Sequence, residues 1–428
     1  YRARRPKKSM TDSTFSIAGP SNTHLNAQIQ ITGSKSETNR LLLLQALFSG
    51  LKIDNISNSD DAAAMQKGVG LRKGTVDVFH AGTAMRFLTA FFATQEGVDI
   101  LLTGSERMQQ RPIGILVAAL QKLGADIQYE AQQGFPPLRI KGKNLEISEV
   151  SLDAGVSSQY ISALLLVAPS LKNGLRLHLK GHITSVPYIK MTLSLLQQIG
   201  VSTRFEDQTI EVQPANQISP TTLVVESDWS SASYYYSIVA MSAIGSEVSL
   251  SSYKAESLQG DAVLATIYES MGVTTHFEGH RLVLRKIAIP SAAILEEGLS
   301  WDLSNAPDIA QTIAVSCFGL GLACNLTGLH TLKIKETDRL LALEAELSKF
   351  GASVRVSDKS LHLAPFKGPF NKGVSVATYH DHRMAMAFAP LALRVPFQIE
   401  EAMVVKKSYP DFWEDLSLLG FQIKDLGN

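Results

Sequence analysis

Five stretches of this chain repeat one hydrophobic pattern. LVAALQKLGADIQY (116–129), LSLLQQIGVSTRF (193–205), VLATIYESMGVTTHF (263–277), LLALEAELSKFGASVRV (340–356) and FWEDLSLLGFQI (412–423) each begin with apolar residues at helical spacing. Each run reaches a large apolar residue followed by glycine, then continues as a strand-like segment. The pattern predicts an amphipathic helix, a left-handed glycine just past its end, and a β-strand. The glycines are Gly124, Gly200, Gly272, Gly351 and Gly420, spaced 76, 72, 79 and 69 residues apart. A degenerate member, Ala62 to Gly70, makes six. Repeats of about 70 residues are longer than the usual 20–50 of a solenoid, so two domains of three repeats are expected.

A second helix is predicted in each repeat, apolar on every side and opening at a polar cluster. Ser34-x-x-Glu37 has capping-box spacing ahead of LLLLQALF. Gly82-Thr83 precedes AMRFLTAFFA, and Ser157-Ser158-Gln159 precedes YISALLLVA. Asp228, Pro307-Asp308 and Asp381 open the corresponding runs of the second half. Helices apolar all round belong inside, so these are expected to be the buried inner helix of each repeat. Gly33 and Glu226-Ser227-Asp228 read as crossings between the halves. The strand region 17–31 is assigned to the second half. The expected organisation is a disordered leader (1–14), a first domain (33–226), and a second domain built from 15–32 and 227–428.

Composition narrows the function. The 428 residues carry 40 basic and 40 acidic side chains, so no overall field attracts nucleic acid. The basic leader, Tyr1 to Lys8, is followed by no apolar stretch of signal-peptide type. Two cysteines, Cys317 and Cys324, exclude a disulfide framework, fit a reducing compartment and point to the cytoplasm. Their apolar run is too short and too broken to span a membrane. A monomer without nucleic-acid, membrane or cofactor partners is expected.

The cations stand out by position. Lys35 and Arg40, Arg86, Lys335 and Arg339, and Arg383 all sit at or near predicted helix starts. Such ends have free N–H groups and a positive dipole, so they suit anions. The site therefore reads as one for small, multiply anionic substrates.

The motifs at these ends carry a resemblance. Ala81-Gly-Thr-Ala-Met-Arg86, Arg107-Met-Gln-Gln-Arg-Pro-Ile-Gly114, Ser157-Ser-Gln159, Lys335-Glu-Thr-Asp-Arg339, Asp381-His-Arg-Met-Ala-Met386 and Lys407-Ser-Tyr-Pro-Asp411 occur in this order. With them the chain, from about Ile17 to Phe421, resembles the 5-enolpyruvylshikimate-3-phosphate synthases. The resemblance implies an α/β, two-domain enolpyruvyl-transferase-like fold, each domain holding three βαβαββ repeats with buried apolar helices and outer sheets. It also implies transfer of the enolpyruvyl group of phosphoenolpyruvate to the 5-hydroxyl of shikimate 3-phosphate, with release of phosphate.

Carried over position by position, the resemblance implies a shikimate 3-phosphate site of Lys35, Ser36, Arg40, Ser157, Ser158, Gln159, Ser185, Asp308, Thr331 and Lys335, with Tyr188 beside the ring. It implies a phosphoenolpyruvate site of Lys35, Gly82, Arg111, Gln159, Arg339, Arg383 and Lys407. Asp308 is the implied general base, with Asp302 nearby as a turn or cap. Glu336 and Lys35 are rival proton donors, and sequence leaves them unresolved. Arg86 is expected to brace the Gly82 loop, and His382 to hydrogen-bond within the pocket. The His380-x-His382 pair lacks a third ligand at suitable spacing, so no metal is expected.

The chain departs from the family pattern at three positions. His80 stands where asparagine is usual, Phe87 where proline is usual, and Thr331 where asparagine is usual. UDP-N-acetylglucosamine enolpyruvyl transferases share the repeat and the chemistry, but they place a cysteine in the loop before the Arg-Pro motif. Thr103 to Arg111 contains none. A non-catalytic relative would have lost Asp308, Glu336 or Lys35, and all three are present.

Overall fold

All five repeat glycines adopt positive φ, from 86° at Gly272 to 105° at Gly124 and Gly351. That region costs a side chain but not glycine. Each glycine ends an outer helix and turns the chain into a strand, as the pattern predicts. The computed structural model describes residues 13–155 and 157–427. Residues 1–12 of the expected leader lie outside the described residues. Ser13 and Thr14 already join the ladder, since the Ser13 carbonyl accepts from Ala402 N–H and Thr14 N–H donates to the Gly427 carbonyl.

The chain divides into two compact units. One contains 32–228 with 256–262. The other contains 229–255 and 263–428, with the N-terminal segment through Ile31. The excursion 256–262 has no counterpart in the sequence pattern. Polar bonds hold it to the first unit: Ser257 Oγ donates to Glu226 Oε2 at 2.9 Å, and Gln259 Nε2 to the Ser227 carbonyl at 3.0 Å.

Within the first unit, the second repeat shows the pattern in full. Strand Lys73–Asp77 runs parallel to Asp99–Thr103, with inner helix Gly82–Ala93 between them. The outer helix Gly114–Lys122 then leads to the hairpin Asp126–Tyr129 and Leu138–Lys141, whose second strand pairs antiparallel to Asp99–Thr103. The third repeat, from Glu149–Asp153 to Thr209–Val212, repeats this order. The first repeat has only two strands. Its own strand Leu51–Asp54 pairs parallel with Thr221–Val224, which arrives from the end of the unit. Every residue of Gly82–Ala93 is buried, and strand Leu175–Lys180 alternates buried and more exposed positions. The apolar helices thus form the core, and the sheets turn one face to solvent.

The second unit is also built on exchange. Asn26–Gln30 opens the fourth sheet, parallel to Glu247–Ser251. Phe15–Ala18 closes the sixth, antiparallel to both Phe397–Ile399 and Gln422–Asp425. The single strand region expected over 17–31 is therefore two strands in two sheets. Its inner helices Trp229–Met241 and His382–Phe388 are buried throughout, and Ala310–Leu320 is buried through Gly319.

The two crossing points meet in one β-bridge between Gly33 and Ser227. A Cβ on Gly33 would lie 1.9 Å from the Asn55 carbonyl oxygen, so only glycine fits. The expected capping box is half formed. Ser34 Oγ accepts from Glu37 N–H at 3.0 Å, but Glu37 Oε2 accepts from Glu226 N–H, also at 3.0 Å. The reciprocal arm of the box is thus used to fasten the crossing.

Candidate active site

In the first unit, helix starts gather the candidate residues. Lys35 opens helix Lys35–Leu47, and its ammonium lies 3.2 Å from Asp61 Oδ2. Arg40 sits one turn deeper and is almost fully buried. Its Nε donates to Thr192 Oγ1 at 2.8 Å, Nη1 to the Ser36 carbonyl at 2.8 Å, and Nη2 to Ser162 Oγ at 3.0 Å. Those three acceptors are neutral. The rings of Phe87 and Tyr188 lie 5.3 and 5.9 Å from its guanidinium carbon, within cation–π reach. Burial pulls the Arg40 pKa down to about 10, against the opposing pull of Tyr188 and Glu37. Arg40 therefore stays charged at neutral pH, in a pocket that supplies dipoles and π-faces. Phe87, one of the departures from the family pattern, is a wall of that pocket.

The second helix start is built around glycine. A Cβ on Gly82 would lie 2.6 Å from Arg111 Nη1 and 2.9 Å from Nη2. The guanidinium thus lies directly against the first residue of an uncapped helix. Arg86 braces this mouth, donating to the Gly82 carbonyl at 3.0 Å and the Pro112 carbonyl at 3.3 Å. Tyr160 donates to that same Pro112 carbonyl at 2.5 Å. At the third helix, Ser157 Oγ caps Gln159 N–H, Ser158 is buried in the first turn, and Gln159 Nε2 reaches Thr83 Oγ1 at 3.1 Å. Ser185 is left-handed at φ 52° just before helix Val186–Gln198. Tyr188, assigned beside the shikimate ring, stands against Arg40.

In the second unit the centre is Arg339, which is only 2% exposed. Its Nε donates to Asp381 Oδ2 at 2.7 Å, Nη1 to Asp308 Oδ1 at 2.9 Å, and Nη2 to Glu336 Oε2 at 2.7 Å. One fork therefore joins three carboxylates from three parts of the chain. Lys335 Nζ lies 3.5 Å from Asp308 Oδ1, and Arg383 Nη2 lies 3.9 Å from Asp308 Oδ2. Asp381 caps its own helix by accepting Arg383 N–H at 3.0 Å. His382 Nδ1 is 3.9 Å from Glu336 Oε1. Lys407 Nζ donates to the His380 carbonyl.

Electrostatics follow from this packing. Burial alone would raise the Asp308 carboxyl, but Lys335, Arg383 and Arg339 together hold it well below the usual carboxylate range. Asp302 instead bonds Ser304 in a local turn. Thr331 lies in the short helix His330–Ile334, with its buried hydroxyl making no protein hydrogen bond.

The structure thus gathers Lys35, Ser36 and Arg40 with one helix start, and Gly82 with Arg111 and Gln159. It gathers Asp308, Lys335, Glu336, Arg339 and Arg383 around one guanidinium. Sequence reasoning missed Asp61, Ser162 and Thr192. The available signal was helical spacing, since Thr192 lies one turn beyond Tyr188.

No group of three or more metal-ligating side chains occurs among the described residues. None of the described helices is long and apolar enough to cross a membrane.

Known proteins resemble this chain along most of its length. The profile of the family described as EPSP synthase (3-phosphoshikimate 1-carboxyvinyltransferase) matches residues 72–416. A 3-phosphoshikimate 1-carboxyvinyltransferase of Bacteroides fragilis is 44% identical over 416 residues, covering 96% of this chain and 98% of that protein. The protein of the same name from Vibrio cholerae is 34% identical, covering 92% and 97%. A solved EPSP synthase from Acinetobacter baumannii shares the fold at TM-score 0.75 and 21% identity, covering 96% of this chain and all of that one. By the extent of these matches, the chain belongs to the EPSP synthase (3-phosphoshikimate 1-carboxyvinyltransferase) family.

Proposed function

We propose that this protein transfers the enolpyruvyl group of phosphoenolpyruvate to the 5-hydroxyl of shikimate 3-phosphate and releases inorganic phosphate. The observation that carries this reading is the Asp308–Lys335–Glu336–Arg339–Arg383 constellation, in a chain 44% identical to a 3-phosphoshikimate 1-carboxyvinyltransferase along nearly its whole length. Each substrate brings a phosphate and a carboxylate, which matches the supply of cations. Shikimate 3-phosphate is assigned to Lys35, Ser36, Arg40, Ser157, Ser158, Gln159, Ser185, Asp308, Thr331 and Lys335. Phosphoenolpyruvate is assigned to Lys35, Gly82, Arg111, Gln159, Arg339, Arg383 and Lys407.

In the reaction, the 5-hydroxyl oxygen attacks C2 of phosphoenolpyruvate as the methylene carbon takes a proton. The hydroxyl proton passes to a base. The tetrahedral adduct then loses phosphate as the C–O bond breaks, and its methyl group returns a proton to leave the enol ether.

Asp308 is the proposed base. In the free protein Lys335, Arg383 and Arg339 make it a weak one. An anionic ligand on Lys335 and Arg383 offsets their charge and raises its basicity when the hydroxyl arrives. Glu336, bound by Arg339, and Lys35, paired with Asp61, are the two proton-donor candidates.

The protein is proposed to act as a monomer. The two buried free thiols support the cytoplasm. Phosphate release is the test. It should require both substrates and should not occur when UDP-N-acetylglucosamine replaces shikimate 3-phosphate.

A further inference from the structure

Helix Arg339–Lys349 grips one turn at two places. Arg339 and Glu346 are seven residues apart, two helical turns, and so share a face. Arg339 holds Asp381, and Glu346 holds the residues just before it. Glu346 is almost fully buried, beside buried Leu347, on a helix whose Ala345, Ser348 and Lys349 reach solvent. Its Oε1 accepts from Tyr379 Oη at 2.7 Å, and its Oε2 accepts from Ala377 N–H at 3.2 Å and lies 2.7 Å from Lys349 Nζ.

The turn so held is conformationally demanding. Tyr379 and His380 are both left-handed at φ 56°, a region that side chains disfavour. Thr378 Oγ1 donates to the Glu400 carbonyl at 3.1 Å, and Asp381 N–H closes back on the Thr378 carbonyl at 2.8 Å. The left-handed conformation turns the His380 carbonyl to Lys407 Nζ. The next residues, Asp381 and His382, open the helix that carries Arg383. Burial, then the hydrogen bond to Glu346, push the Tyr379 phenol up to about 12, so it keeps its proton and donates throughout the neutral range.

We propose that Glu346 is a positioning residue for the phosphoenolpyruvate cations Lys407 and Arg383, acting through Tyr379 and the Ala377 amide on the turn before their helix. The proposal rests on the functional reading above. It assigns to Glu346 no contact with substrate.

The test compares E346A, E346Q, Y379F and E346Q/Y379F by steady-state phosphate release, with thermal melts to verify folding. E346A should raise KM for phosphoenolpyruvate about tenfold, the scale of one lost hydrogen bond to a charged group. Its kcat and its KM for shikimate 3-phosphate should stay close to wild type. Y379F should give a smaller rise of the same kind. E346Q, which keeps one acceptor, should recover part of the loss. The double variant should be clearly less impaired than the sum of its parts, because both changes act on one shared bond. Wild-type KM for phosphoenolpyruvate in folded E346A and Y379F, or equal rises for both substrates, would overturn the proposal. Absence of turnover in the wild-type protein would refute the functional reading and this assignment with it, so the two failures are told apart by the wild-type control.

Discussion

The Arg111 guanidinium occupies the space beside Gly82 that a side chain would need, with Nη1 2.6 Å from the position of a Cβ. A phosphate or carboxylate can therefore meet backbone N–H groups and a guanidinium at one point. Gly82→Ala should displace Arg111 while leaving the rest of the helix intact. KM for phosphoenolpyruvate should rise by about tenfold or more, since small displacements in an oriented site are costly. KM for shikimate 3-phosphate should change much less. Steady-state kinetics with each substrate varied in turn will show whether the two separate.

Asp308→Asn should bind both substrates and lose turnover by about 10²–10⁴, the range for a removed general base. The same carboxylate has a stability signature. Its folded pKa is depressed, so its contribution is fully present above the ordinary carboxylate value of about 4. It is lost as pH falls through the lower, folded value. The stability gap between wild type and variant should thus be flat near neutrality and narrow in acid. Near-wild-type kcat in the variant would remove Asp308 from the role of base.

Much of this was legible in sequence. The glycine after each outer helix has one physical meaning, and the apolar inner helices have one place to go. The cluster around Arg339 was legible only as separate motifs. Nothing local tells that Arg339 will bind Asp308, Glu336 and Asp381 together, because tertiary folding alone brings them within reach. Ser162 and Thr192 read as neutral positions on their helices, yet they are buried acceptors for Arg40. Glu346 reads as a solvated residue of an amphipathic helix. Only its face, shared with Arg339, hints otherwise. The segment 256–262 joins the first unit through side-chain hydrogen bonds, which leave no periodicity to read.

Asp415 should impose a pH slope on stability. Desolvation, with help from Asp411 and Glu414, raises its pKa to about 6, against the hydrogen bond donated by Tyr409. A raised carboxyl contributes stability that is full below the unfolded value of about 4 and lost as pH rises through 6. Thermal melts of wild type and Asp415→Asn between pH 4 and 7 should differ by a slope confined to that window. Parallel curves would show that Asp415 ionises alike in both states.

Cys317 and Cys324 should be silent. Both are fully buried, and their mutual hydrogen bond, then burial, push the Cys317 thiol up, away from the reactive thiolate. Cys317→Ala and Cys324→Ala should keep kcat. Ellman's reagent should label wild-type protein only on unfolding. Fast labelling of the folded protein that substrate blocks would instead place a thiol in the site.

The reaction itself is tested most directly by release of inorganic phosphate from purified protein given shikimate 3-phosphate and phosphoenolpyruvate together. The account predicts phosphate in equal amount to a new enolpyruvyl ether, no release when either substrate is left out, and strong loss in Asp308→Asn. Folded wild-type protein that releases no phosphate with both substrates at saturation would contradict it.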